Sequence, residues 1–121
     1  GMATAEAYLY GLKASAGNRT NVAVVNTGLF EEGSVVLELR AFDGDSGGAE
    51  RGHPEVVVVP PGAWHQLDGF LAQQGVSNGW VKVTRLIGTA PWLAYAVIGD
   101  GVMPGIGTGD GSYVAMEGAA R

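Results

Sequence analysis

Four consecutive valines, Val56 to Val59, followed by Pro60-Pro61-Gly62, restrict this chain more than any other stretch. The run is β-branched and too short for an ordinary helix, so it reads as a strand, either buried on both sides or at the edge of a sandwich. Neither proline can donate to a ladder, so the strand ends there. The chain must turn before resuming as Ala63 to Leu67. Asp68 to Gly75 then reads as a short polar-apolar crossover, and Trp80 to Thr84 as a returning strand, with Val81 and Val83 on one face and Trp80, Lys82 and Thr84 on the other.

The segments on either side obey the same period of two. Gly33 to Phe42 is the clearest case: Val35, Leu37, Leu39 and Ala41 point one way, and Ser34, Val36, Glu38 and Arg40 the other. That is a strand with one wet face. Thr20 to Asn26 carries Val22 and Val24 on one face, and Asn26-Thr27-Gly28 supplies a turn. Asp43 to Gly48 has glycines suited to positive φ and reads as a hairpin connection into the valine strand. Ala5 to Leu12, Trp92 to Ile98 and Ser112 to Met116 complete the strands, and Asp100 to Gly111 reads as a long surface loop.

The fold class that follows is all-β: an antiparallel β-sandwich with immunoglobulin-like character, about seven strands and one short helical turn. At 121 residues, with 21 glycines, 46% hydrophobic and 16% charged residues, one domain with its own core is expected. Its expected extent is 5–117. Residues 1–4 read as a tag remnant and flexible N-terminus, because Gly1 precedes Met2, and 118–121 as a flexible C-terminus.

Charge narrows the function classes. The net charge is −5, and only seven residues are Lys or Arg, with no basic cluster, which argues against a nucleic-acid partner. No apolar run approaches the roughly 18 residues of a membrane span, so no membrane partner is expected, and no signal-peptide pattern is present. Without cysteine there are no disulfides or thiolate metal sites.

Chemistry-bearing patterns are sparse. His53 and His65 are the only histidines and lack ligand spacing with a second histidine or a glutamate, so no metal is assigned to them. Asp43, Asp45 and Ser46 superficially match a calcium loop, as do Asp100, Asp110 and Ser112, but turn chemistry accounts for Asp-Gly and the carboxylate count falls short. Ser46, Ser77 and Ser112 lack a nucleophile-elbow context. An acid pair drawn from Glu38, Glu55, Asp68 and Asp100 would require those carboxylates to converge. The glycines of Gly99 to Gly111 are not followed by a helical pattern, which a phosphate cradle needs. No cofactor and no catalytic residue is therefore assigned. The residues singled out for ligand or partner contact are Trp64, His65, Trp80 and Trp92, with Trp64 expected to be the most exposed and Trp80 and Trp92 to pack over the core edge.

The order NRTNVAVVNTG, VVLELRAFDGDSG, VVVPPGAWHQL, FLAQQGVSNGWVKV, APWLAYAVIGDG and TGDGSYVAM resembles a β-sandwich repeat of secreted and surface-associated bacterial proteins. The resemblance spans about residues 9 to 116. It implies a non-catalytic module beside enzymes or in adhesive architectures, located outside the cell, at its surface or in the periplasm. Two roles follow as expectations: a structural or interaction module that meets a protein partner or another copy of itself through edge strands, or a carbohydrate-binding module that uses exposed tryptophans.

Overall fold

The computed structural model describes residues 6–13, 19–99, 112–115 and 117–118. They form nine strands: β1 (Glu6–Lys13), β2 (Arg19–Asn26), β3 (Val35–Asp43), β4 (Ala49–Val59), β5 (Trp64–Leu67), β6 (Asn78–Ile87), β7 (Trp92–Gly99), β8 (Ser112–Ala115) and β9 (Glu117–Gly118). The only α-helical piece among them is the single turn α1 (Phe70–Gln73), and two 3₁₀ turns cover Phe30–Glu32 and Gly44–Ser46. Every strand pair is antiparallel. One sheet runs β4-β3-β6-β1-β9 and the other β5-β2-β7-β8. The all-β antiparallel sandwich expected from the sequence is the fold. The expected 100–111 loop lies outside the described residues.

Strand β3 shows why the layers close. Its burial alternates without a break from Val35 to Asp43, and Val35, Leu37, Leu39 and Ala41 face inward. Val22 and Val24 of β2 and Trp92, Ala94 and Ala96 of β7 bury their side chains in the same core from the second sheet. Phe70 and Leu71 of α1 enter that core too, so the crossover plugs the sandwich as well as connecting it. Each buried Val, Leu or Phe among these contributes on the order of 1.5–3 kcal/mol by leaving water.

The valine run resolves to the edge alternative. Among the described residues β4 pairs only with β3, and the run alternates: Val57 and Val59 are buried, while Val56 and Val58 are 53% and 60% exposed. Pro60-Pro61-Gly62 does more than end the strand. The chain leaves the first sheet at Val59 and enters the second at Trp64. Gly62 makes the turn at φ 74°, in the left-handed region that side chains resist.

Candidate interaction surfaces

Of the residues singled out for contact, Trp64 lies where the sequence suggests. It opens β5, an edge strand, opposite Val25, which in turn faces Leu93 of β7; Trp64 is 60% exposed. His65 follows on the same short strand, opposite Val24, and is also exposed. Trp92 requires a correction as a contact residue. It sits opposite Asn26 in the register that points Ala94 and Ala96 inward, and at 4% exposure it belongs to the core. Trp80 is half-buried on the other sheet. Its ring stacks on Phe42 with centroids 5.7 Å apart and planes 10° apart, and a Cβ on Gly48 would lie 3.0 Å from it. The three tryptophans therefore form no shared surface.

The polar patterns are occupied locally. Asp43 accepts from the Asp45 N–H at 2.9 Å and from the Ser46 hydroxyl at 3.0 Å, so the array caps its own turn. Ser46 also accepts from Arg51 at 2.9 Å. Glu38 is bound to Arg40, Glu55 sits opposite Leu39 on the edge strand, and Asp68 follows β5 in the other sheet, so these three carboxylates do not converge. Asp100 lies outside the described residues, as do Asp110 and the remaining glycine-rich stretch. Among the described residues no three His, Asp or Glu side chains gather as a metal site.

A feature that sequence reasoning missed is the clustering of exposed apolar side chains. The described residues include nine large ones: Tyr10, Leu29, Phe30, Val56, Val58, Trp64, Leu86, Ile87 and Leu93. All but Tyr10 lie in the half of the sandwich that carries the 27–34, 60–63 and 88–91 connections. Phe30 is 89% exposed. On the outer face of the first sheet, Val58, Val36 and Ile87 stand opposite one another across β4, β3 and β6. Periodicity marks such positions as outward-facing but carries no signal that separate strands bring them to one end.

Asn26 fastens that end. Its buried side chain donates to the carbonyls of Gly33 at 3.0 Å and Val59 at 2.9 Å and accepts from the Gly28 N–H at 2.8 Å. Its backbone N–H donates to Ala63, its carbonyl accepts from Gly62, and the neighbouring Thr27 N–H donates to Pro91. One residue at the end of β2 thus touches two of the three connections, and its neighbour reaches the third. With every polar atom paired, its burial carries no desolvation penalty left unanswered.

Along β4 the backbone is not equally available. Gln74 accepts the His53 N–H at 2.8 Å, and Pro54 has none to offer, so the first half of this edge is covered or mute. The Val56–Val59 half is uncharged and without proline; the Val59 carbonyl accepts from Asn26, and no side chain among the described residues bonds to the backbone of Val56, Val57 or Val58.

The outer face of the first sheet differs further along. Arg40 bridges Glu38 at 2.8 Å and Glu50 at 2.7 Å, and Lys82 pairs with Glu6 at 3.1 Å. Hydrogen bonds to Glu38 and Glu50 raise the Arg40 guanidinium above its ordinary value, and the bond to Glu6 does the same for the Lys82 ammonium. Beside these pairs lie Tyr8 and Tyr10, stacked at 5.7 Å, and the Phe42–Trp80 pair.

Neither the comparison with protein-family models nor that with curated proteins found a match. Among solved structures the chain is similar to the crystal structure of Thermotoga maritima 1070, at 9% sequence identity and a TM-score of 0.62 over 96% of this chain and 92% of that one. A likeness at that identity concerns the fold alone.

Proposed function

We propose that this chain is a non-catalytic interaction module, and that it meets a protein partner, either another copy of itself or an extended segment of a second protein, along the Val56–Val59 edge of β4. The observation that carries this reading is the open half-edge: a terminal strand whose outward valines are more than half exposed, next to a half-edge closed by Gln74 and Pro54. Unpaired backbone of this kind accepts an added strand, and the flanking Val36 and Ile87 extend its apolar row onto β3 and β6. Fastening by Asn26 supports the same role, because a preorganised surface loses less entropy on binding.

The resemblance in motifs suggests that the module works in an exported bacterial protein, and immunoglobulin-like character is proposed for the layering only. Sedimentation equilibrium of the wild type against Val58→Lys tests the reading. A concentration-dependent dimer, abolished by a lysine on the edge, is the expected result. A wild type that stays monomeric and whose β4 amides exchange no more slowly with partner protein present would overturn it.

A further inference from the structure

We infer that the outer face of the first sheet holds a binding site for a neutral oligosaccharide, built on Tyr8, Tyr10, Phe42 and Trp80 and separate from the valine edge. Register places these rings together. Arg40, Lys82 and Tyr8 form one row across β3, β6 and β1; Phe42 and Trp80 form the next, with Tyr10 in the β1 bulge between the partners of Val81 and Gly79. The rings form two near-parallel pairs, with planes 9° and 10° apart. Tyr10 is 45% exposed, and the other three are half-buried.

The sandwich core does not require them. The inward positions of the same strands are already filled by Leu9, Leu39, Ala41, Val81 and Val83. The outward positions of a one-sided sheet are ordinarily polar, whereas these neighbouring rows place four aromatic side chains there, with Tyr10 the most open of them, and such amphipathic rings concentrate binding energy. Cross-strand aromatic pairing adds stability by itself, so the experiment must separate binding from folding.

The surrounding charges select the ligand. Both cations in these rows are engaged, Arg40 by two carboxylates and Lys82 by one. Glu6, Glu38 and Glu50 stand against Arg40, Lys82 and the exposed Lys13 at the end of β1, so the face carries no excess of either charge. Lys82 uses one of its three ammonium hydrogens on Glu6. The remaining two and the tyrosine hydroxyls suit uncharged hydroxyl groups, while the rings suit the apolar faces of pyranoses. A neutral polyol with flat apolar faces answers both requirements.

The test is titration of the whole chain with cellohexaose, xylohexaose, mannohexaose and maltohexaose, read by tryptophan fluorescence and by calorimetry, with oligogalacturonate as the anionic comparison. Saturable binding of at least one neutral hexaose is expected. Tyr10→Ala should weaken it by roughly tenfold or more, as loss of an aromatic anchor does, and Tyr10→Phe should retain most of it. Trp64→Ala on the other sheet, and Val58→Lys on the valine edge, should leave it unchanged. Circular dichroism and urea midpoints confirm that each variant is folded. No saturable binding of any neutral hexaose, equal binding by folded Tyr10→Ala, or loss in Trp64→Ala would each overturn the site, whatever the outcome at the valine edge.

Discussion

The side-chain amide of Asn26 donates to the carbonyl of Val59 at 2.9 Å, and so ties the last residue of β2 in one sheet to the last residue of β4 in the other. The same amide holds Gly33, and its oxygen holds the Gly28 N–H. Replacing Asn26 with Ala would leave two buried or part-buried carbonyls and an amide unpaired, at about 1–3 kcal/mol for each group that water cannot reach. We expect a loss of about 2–4 kcal/mol from the urea midpoint, with Asn26→Asp no better, because a carboxylate cannot donate. Hydrogen exchange should quicken in the 59–63 and 27–34 connections first. An unchanged midpoint would show that the three connections hold without it.

The two end tryptophans should separate cleanly. Trp92→Ala removes a ring from the core and is expected to cost about 3–5 kcal/mol. Trp64→Ala, on an exposed edge strand, should stay within about 0.5 kcal/mol. Thermal unfolding of both variants checks the contrast, and comparable losses would contradict the placement of Trp92.

Gly79 has no room for a side chain: a Cβ there would collide with the carbonyl oxygen of Phe42 on the neighbouring strand. Gly79→Ala must push β6 away from β3, and a loss of about 1–3 kcal/mol is expected, as for overpacking elsewhere. Near-ultraviolet circular dichroism should report it too, since Trp80 is the next residue and stacks on Phe42. A neutral substitution would mean that the ladder there is looser than described.

Alkaline pH provides a fourth test. Because Glu6 raises the Lys82 pKa, the folded chain holds that proton more tightly than the unfolded chain does. The stabilisation is complete below the unfolded lysine pKa and is lost as pH rises through the higher folded value. The stability gap between wild type and Lys82→Gln should therefore be small, flat through neutral pH and closed only in strong alkali, and salt should reduce it. A gap that closes near neutral pH would contradict the pairing.

Period-two alternation made much of this fold legible. The inward set Val35, Leu37, Leu39 and Ala41 and the outward set on β3 can be read directly, because a half-buried strand must alternate. Gly-rich and Pro-rich turns between short strands pointed to a sandwich for the same local reason. Strand β9 was not legible: two residues carry no period, and Glu117–Gly118 is a strand only because β1 lies beside it. The sequence separates Trp64, beside the proline break, from Trp92, within the apolar WLAYAVI run, but it does not give the depth to which Trp92 is buried. Register, which sets Trp92 opposite Asn26 in line with Ala94 and Ala96, takes it from the core edge into the core.

What the sequence determined by itself was local: which residues extend, which turn, and which face of each strand avoids water, since steric preference and burial act over a few positions. Only the tertiary structure decided what separate strands share. The gathering of Leu29, Phe30, Val58, Ile87 and Trp64 at one end, the aromatic pairs of β1, β3 and β6 on one face, and the several connections held at Asn26 and Thr27 all depend on strand order and register. Strand order and register are set by the packing of the whole core, so no short window of the chain contains them.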